Sequence, residues 1–403
     1  MNKKNKKWIK FRHKVVIGIL RYTLGVYTKL KYHIKVDKFK EEKKGQYLVL
    51  FNHQTAFDQF FVSMAFRRHI YYLASEDIFS NGKLSSLIRY LAAPIPIKNQ
   101  STDVHAIINC MKVAKEGGNI GMAPEGNRTY SGETGYINPT VAPLARKLGL
   151  PIVLFRIEGG YGAHPRWADK VRRGKMHGYV HSVISPEEYA NMTNDELYSA
   201  ICSALYVNEA REDTLFKHKR LAENLERAIY VCRSCGLSSF KTDGCFIECQ
   251  SCKEKIEYLP SKKLRSEKED FPFEYLLDWY KYQSNFVNTI DTAALTEAPI
   301  YTDKVRFSEI IPYKRKIHIL KEATLKLYGD RISINEGEDG EDVFLFENLM
   351  GATVLGKNKL NVYLKNKTYQ FKGDKSFCAL KYVNVFHRHK NIISGKEESY
   401  LGI

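Results

Sequence analysis

Gln46-Tyr47-Leu48-Val49-Leu50-Phe51-Asn52-His53-Gln54-Thr55-Ala56-Phe57-Asp58 runs from an apolar segment into an imidazole and then, five positions on, a carboxylate. The opening Gln46 to Phe51 reads as a buried strand, which places His53 at a strand's end and Asp58 about one helical turn later. A carboxylate that accepts one ring N–H fixes the imidazole tautomer and stabilises the imidazolium that forms when the other nitrogen takes a proton. Such a pair suits activation of a hydroxyl. Taken alone, it also fits a surface or core histidine that happens to lie near an aspartate.

A second stretch, Gly121-Met122-Ala123-Pro124-Glu125-Gly126-Asn127-Arg128-Thr129, joins a strand-like end to a turn carrying a carboxylate, a guanidinium and a hydroxyl. Arg128 can hold a phosphate bidentately, and Gly126 lets the backbone approach an anion closely. The stretch therefore suits a phosphorylated substrate, although an ordinary Pro/Gly turn with solvated Glu and Arg has the same composition.

In this order and spacing the two stretches resemble the glycerolipid acyltransferase family that includes lysophosphatidate (1-acyl-sn-glycerol-3-phosphate) acyltransferases. The family's His-x4-Asp block matches His53 and Asp58, and its Pro-Glu-Gly-x-Arg-Ser block matches Pro124 to Thr129, with Thr129 in place of Ser. Ala93-Pro94-Ile95-Pro96-Ile97-Lys98 lies where the family has a basic residue after an apolar run, and Leu150-Pro151-Ile152-Val153-Leu154 resembles its last apolar block. Lys98 stands where Arg is common, so it offers a point charge without the planar fork.

The resemblance implies transfer of a fatty acyl group from acyl-CoA or acyl carrier protein to the free hydroxyl of a lysophospholipid acceptor. With lysophosphatidate as acceptor the product is phosphatidic acid. His53 is then the general base and Asp58 its orienter, while Glu125, Gly126, Arg128, Thr129 and Lys98 hold the acceptor. Glycerol 3-phosphate or another lysolipid fits the same chemistry, and a catalytically idle scaffold that binds membrane or protein is the reading from a different class. Cys110 lies in an apolar helical pattern and reads as a buried thiol.

Residues 1–44 concentrate the charge: thirteen Lys and two Arg against one Asp and two Glu, a net +12 of the chain's +18. Trp8, Phe11, Val15, Ile19, Tyr22, Val26 and Leu30 recur at helical spacing with lysines on another face. The run Val15 to Leu20 is too short to span a bilayer, and no small-residue cleavage site follows it, against a secretory signal peptide. The arm reads as an amphipathic helix on an anionic membrane surface. A helix packed on its own domain is the alternative. Nucleic acid, the other partner of a basic arm, is not expected because the arm is so apolar.

Cys232-Arg233-Ser234-Cys235 and Cys249-Gln250-Ser251-Cys252 are separated by thirteen residues. Two such knuckles form a zinc-ribbon signature, with each pair gripping one side of a tetrahedral Zn2+. Four thiolates leave no open coordination position, so this zinc is structural. It also implies a reducing compartment, hence a peripheral protein on the cytoplasmic side of a membrane.

Across 403 residues, 44% of them apolar, short apolar runs alternate with amphipathic stretches through the first half, an α/β pattern. Asp103 to Lys115 reads as helix, Thr193 to Glu196 as a capping box, and Ala222 to Tyr230 as a further helix. Gly159 to Gly162 reads as a turn. Phe271 to Asn288 is aromatic and helical, period-two patterning begins near Ala323, and a helix closes the chain from about Lys375 to His389. The expected organisation is a basic arm over 1–44, an α/β acyltransferase domain over 45–230, a small zinc ribbon over 231–260 and a helical linker over 261–300. An antiparallel β domain with a terminal helix follows over 301–403, similar in topology to pleckstrin-homology (PH) or GRAM modules. That domain's role, whether headgroup site, protein contact or packing surface, stays open.

Overall fold

The structure, a computed structural model, describes residues 7–43, 45–80, 82–97, 103–311, 315–395 and 400–402. The chain forms two units: Met1–Pro165 with Val171–Phe216, and Arg166–Lys170 with Lys217–Ile403.

The first unit is built on strands β1 (Ile34–Val36), β2 (Leu48–Phe51), β3 (Ile70–Ser75), β4 (Ile95–Ile97), β5 (Asn119–Met122), β6 (Ile152–Glu158) and β7 (Met176–Ile184), in the order β1-β7-β6-β2-β5-β3-β4. β2 lies at the centre, parallel to both β5 and β6, and only the β6–β7 pairing is antiparallel. The buried run in β2 is continuous because both sheet faces are covered. Leu48 and Leu50 join a core with Cys110 and Val113 of α4 (Val104–Lys115), Ala142 and Ala145 of α5 (Val141–Leu148), and Leu197 and Ile201 of a later helix, Asn194–Leu205. Val49 and Phe51 face the other way, into a core with Tyr32 of α1 (Phe11–Tyr32) and Phe61 and Val62 of α2 (Asp58–Ala65). A short helix, α3 (Lys83–Leu91), lies between β3 and β4.

Helix boundaries follow their local chemistry. Asp103 caps α4 by accepting the Ala106 N–H at 3.1 Å. α5 ends at Gly149, whose φ of +64° suits glycine, and whose N–H returns to the carbonyls of Ala145 and Arg146. After α6 (Gly160–Ala163) and α7 (Pro186–Ala190), the expected capping box opens α8 (Asn194–Leu205). Thr193 Oγ1 accepts the Glu196 N–H at 3.2 Å, and Glu196 Oε2 accepts the Thr193 N–H at 2.7 Å.

α1 uses two different faces. His13, Thr28 and Tyr32 are buried against the unit, whereas Phe11, Tyr22 and Leu30 are 81%, 79% and 71% exposed, with Val15, Ile19 and Val26 exposed beside them. The helix packs on its own unit, but not through the apolar stripe. Trp8 departs from that stripe: it packs on the core, its indole N–H donates to Ala93 O at 3.0 Å, and its backbone N–H to Glu116 Oε1 at 2.9 Å. Among the described residues no helix is long and apolar enough to cross a membrane.

The second unit opens with hairpin β8 (Val231–Cys232) and β9 (Gly236–Leu237), followed by the antiparallel sheet β10 (Phe240–Asp243), β11 (Phe246–Cys249), β12 (Lys255–Tyr258) and β13 (Leu264–Ser266). α9 (Leu276–Thr289) follows. A seven-stranded antiparallel sheet then runs β17-β16-β15-β14-β20-β19-β18, from β14 (Tyr301–Ile311), β15 (Arg315–Leu327), β16 (Arg331–Ile334), β17 (Asp342–Leu345), β18 (Gly351–Leu355), β19 (Lys359–Tyr363) and β20 (Thr368–Gly373). α10 (Ala379–Ile393) packs on β18 and β19.

Four sequence expectations change here. Ala222 to Tyr230 is not a helix: Asn224 sits at φ +67° and only Leu225–Arg227 forms a 3-10 turn. Its backbone is satisfied instead by the Gln283 side chain, which accepts from Tyr230 N–H at 2.8 Å and donates to Ala228 O at 3.0 Å. Period-two structure begins at Tyr301, not Ala323. The final helix is shifted to Ala379–Ile393, and Gly160–Ala163 forms a helical turn. Thr193→Ala removes the α8 cap, so urea unfolding is expected to show the first unit destabilised by about 1 kcal/mol with the second unchanged.

Candidate active site and metal centre

His53 leaves the C-terminal end of β2, where Asn52 fixes the chain. The fully buried Asn52 amide donates to Ile157 O at 2.8 Å and accepts the Ile157 N–H at 2.7 Å, tying the end of β2 to β6. His53 Nδ1 then lies 2.8 Å from Asp58 Oδ2. A carboxylate carries only lone pairs, so Nδ1 holds the proton and a neutral ring keeps its basic lone pair on Nε2. The imidazole is 24% exposed and Asp58 is fully buried, which gives a reachable base on a shielded orienter.

Asp58 is the first residue of α2, where the helix dipole favours an anion. It also accepts the Gln54 N–H at 2.7 Å, the Thr55 N–H at 2.9 Å and the Thr55 hydroxyl at 2.7 Å. Thr55 Oγ1 in turn accepts the Phe57 N–H at 3.0 Å. The five-residue spacing therefore wraps the loop around its own carboxylate, and each bond orients the group that orients His53.

The 121–129 stretch meets this loop directly. β5 is parallel to β2, so both chains emerge at the same edge of the sheet. Glu125 Oε1 accepts the His53 backbone N–H at 2.7 Å, and Oε2 accepts the Gly135 N–H at 2.7 Å. Burial pushes the Glu125 carboxyl up to about 8, against the two N–H donors. Gly126 turns the chain at φ +70°, its N–H bonded to Ala123 O at 3.0 Å. The Thr129 N–H reaches His53 O at 3.3 Å. Thr129 Oγ1 accepts the Gly132 N–H at 2.9 Å, so the hydroxyl shapes its own turn.

Arg128 is only 9% exposed. Burial raises the pKa of the Tyr32 hydroxyl, the negative charge of Asp58 adds to that shift, and Arg128 opposes it, so carboxylate and guanidinium act on one neighbourhood. The Tyr32 hydroxyl lies 3.0 Å from His164 Nδ1. Lys98 lies outside the described residues. Cys110 is fully buried and its thiol is pushed up to about 12 by burial, which leaves it unreactive.

Asn52, Thr55 and Tyr32 were not read as site residues from the sequence. Asn52 and Thr55 sit inside the decisive stretch, yet nothing in the spacing says which polar side chains bond to the backbone. Gly160 is a further silent participant: a Cβ there would come within 2.5 Å of Gln54 Cβ, so only glycine lets the turn after β6 pass the loop.

In the second unit, the ligand atoms of Cys232, Cys235, Cys249 and Cys252 all lie within 4.8 Å of one another. Cys232 and Cys252 Sγ are 3.7 Å apart, the edge expected of about 3.8 Å for a tetrahedron of thiolates about 2.3 Å from Zn2+. Gly236 at φ +69° and Lys253 at φ +60° turn the two knuckles. Cys245 lies outside the cluster, its Sγ 3.7 Å from Lys219 O. The donor set fits a closed structural ion of zinc type.

Residues 32–158 match the family model described as Acyltransferase. No curated protein matches the chain. Among solved structures, the 1-acyl-sn-glycerophosphate (LPA) acyltransferase PlsC from Thermotoga maritima is similar over 48% of this chain and 78% of its own, at 19% sequence identity and TM-score 0.41. The range that matches the family model contains both the His53–Asp58 loop and the Glu125–Thr129 turn.

Two outcomes are expected from this geometry. Glu125→Gln sets an amide donor against a backbone N–H donor, so unfolding of the first unit should ease by about 1–3 kcal/mol and activity should fall with it. Purified protein should carry about one zinc per chain by elemental analysis, and Cys249→Ser should carry well below that and lose the second unit's cooperative unfolding.

Proposed function

We propose that the first unit transfers a fatty acyl group from a thioester donor, acyl-CoA or acyl carrier protein, to the free hydroxyl of lysophosphatidate, giving phosphatidic acid. The observation that carries this reading is the His53–Asp58 pair, 2.8 Å apart with Nε2 left as the base, inside a domain that matches the acyltransferase family.

The acceptor hydroxyl docks against Nε2 and its oxygen attacks the thioester carbonyl carbon. His53 takes the hydroxyl proton as the new C–O bond forms, and Asp58 stabilises the resulting imidazolium. Collapse of the tetrahedral intermediate breaks the C–S bond, and the proton passes from His53 to the leaving thiolate. No bond to the enzyme forms. Arg128 at the Gly126 turn is assigned to the acceptor phosphate, where a planar guanidinium can bind bidentately. Glu125 is assigned to the loop: both its oxygens are taken by backbone N–H groups, so it holds His53 in place.

The exposed stripe of α1, with Leu84, Leu87 and Tyr90 exposed on α3, is proposed as the face that rests on an anionic membrane, where both substrate and product reside. The thiol centre is proposed to hold structural Zn2+, and its four free thiols favour the cytoplasmic side. The β sheet capped by α10 is proposed to be a PH/GRAM-like module. Glycerol 3-phosphate remains the competing acceptor, and an acceptor panel separates the two.

His53→Ala should lower turnover of lysophosphatidate by about 10² to 10⁴ with the melting profile nearly unchanged. Asp58→Asn keeps the shape but replaces an acceptor by a donor facing N–H groups, so it should lose both activity and stability. Purified wild type and variants with labelled donor make the measurement, and full activity in His53→Ala would overturn the mechanism.

A further inference from the structure

At the opposite end of the sheet from His53 there is a second cationic site. β3 and β5 run parallel to β2, and the residues just before them, Arg67 to His69 and Gly117 to Gly118, meet α1 around a cavity of about 270 Å3. Lys14, Arg21, Arg67 and Arg68 line it, and among the described residues no carboxylate does. That size suits a headgroup or small anion and falls below the ~300–1,000 Å3 of sites that enclose drug-sized ligands.

Two of the guanidinium groups are held in place. Arg21 Nε donates to Ser63 O at 3.2 Å and Nη1 to Arg67 O at 3.1 Å. Arg68 Nη2 donates to Gly117 O at 2.9 Å and Nη1 to Gly45 O. Carbonyl oxygens position a guanidinium without neutralising it, so the charge stays available while the geometry is fixed. Arg21 Nη2 is buried without a hydrogen-bond partner, and burial lowers the Arg21 pKa from its ordinary value. Glu41, the carboxylate that acts on Arg21, accepts the Arg67 backbone N–H and does not line the cavity. His69 adds no charge, since burial brings its pKa down to about 4 while Nε2 bonds Ala92 O. A desolvated, partly unpaired cation is costly unless an anion joins it.

The geometry points to a non-catalytic anion site that takes a phosphoryl group, either the headgroup of an anionic phospholipid or free phosphate. The site does not depend on the acyl-transfer reading. Its place on α1 favours the lipid source: Lys14, Ile17, Gly18 and Arg21 share one helix face, and the exposed stripe through Val15, Ile19, Tyr22 and Val26 lies about a third of a turn away. A headgroup in the cavity would leave its acyl chains beside that stripe.

The test compares two double variants of the full chain that each remove two cations: Lys14→Gln with Arg67→Gln in the cavity, and Lys29→Gln with Lys31→Gln outside it on α1. All four residues are exposed. Flotation with phosphatidylcholine vesicles, with and without phosphatidate and with no acyl donor present, reads the lipid arm. Melting temperature in phosphate against chloride at matched ionic strength reads the free-phosphate arm.

The cavity pair should lose at least about fivefold more affinity for phosphatidate vesicles than the outside pair, whereas diffuse attraction predicts equal losses. That excess without a phosphate effect assigns the site to the headgroup. A phosphate-dependent rise in melting temperature that the cavity pair abolishes assigns it to free phosphate. Equal vesicle losses with no such rise overturn the site. If the double variant melts early, Arg67→Gln against Lys29→Gln repeats the comparison. Retained binding in His53→Ala separates this result from any failure of the catalytic reading.

Discussion

A fully buried carboxylate at the first residue of a helix organises this site. Asp58 receives backbone N–H groups, a hydroxyl and an imidazole N–H, all from the five residues before it. An ionised group removed from water is tolerated only when its lone pairs are met, and here meeting them dictates the path of the loop. The spacing of His53 and Asp58 is a consequence of that geometry.

The second constraint acts through Glu125. Its two oxygens span from the His53 backbone to Gly135, so the turn that carries Arg128 is fastened to the loop that carries His53. The Thr129 N–H on His53 O closes the same contact from the other side. Two motifs far apart in sequence become one rigid object because β2 and β5 are adjacent and parallel. Electrophile, nucleophile and anchor must be held within fractions of an ångström for a proton to move with bond formation, and shared backbone bonds supply that tolerance.

Much of this was legible in the sequence because the signals were local. The buried strand before His53, the Asp103 to Lys115 helix and the Thr193 capping box each rest on neighbouring residues and are present, and the four cysteines of the two knuckles cluster as a metal site requires. Other parts were illegible for identifiable reasons. The segment from Ala222 to Tyr230 looks helical because Ala222, Leu225 and Ile229 recur at helical spacing between polar residues, yet Gln283, more than fifty positions away, satisfies its backbone in an irregular path. β14 escaped because register shifts between Val305 and Phe307, and again at Ser308, break its alternation. In β18, Gly351 to Val354 are all buried, so no period-two signal exists. At the site, Asn52 was silent because its partner, Ile157, belongs to a strand about a hundred residues on.

The outer stripe of α1 bears on the proposed catalysis through the way the helix is seated. Its inner side is used by His13, Thr28 and Tyr32, so the exposed apolar residues are surplus to the core. Polar side chains there would leave the packing untouched, and an exposed apolar row is the kind of surface that the proposed membrane contact would cover. The same helix ends at Tyr32, whose ring contacts Phe57 and Phe61 on either side of Asp58. Tyr32 therefore links the helix that carries the stripe to the loop that carries Asp58. On the proposed reading of the stripe as a membrane-facing surface, a lipid layer seated on it would also fix the orientation of the His53 loop, because Tyr32 joins the two.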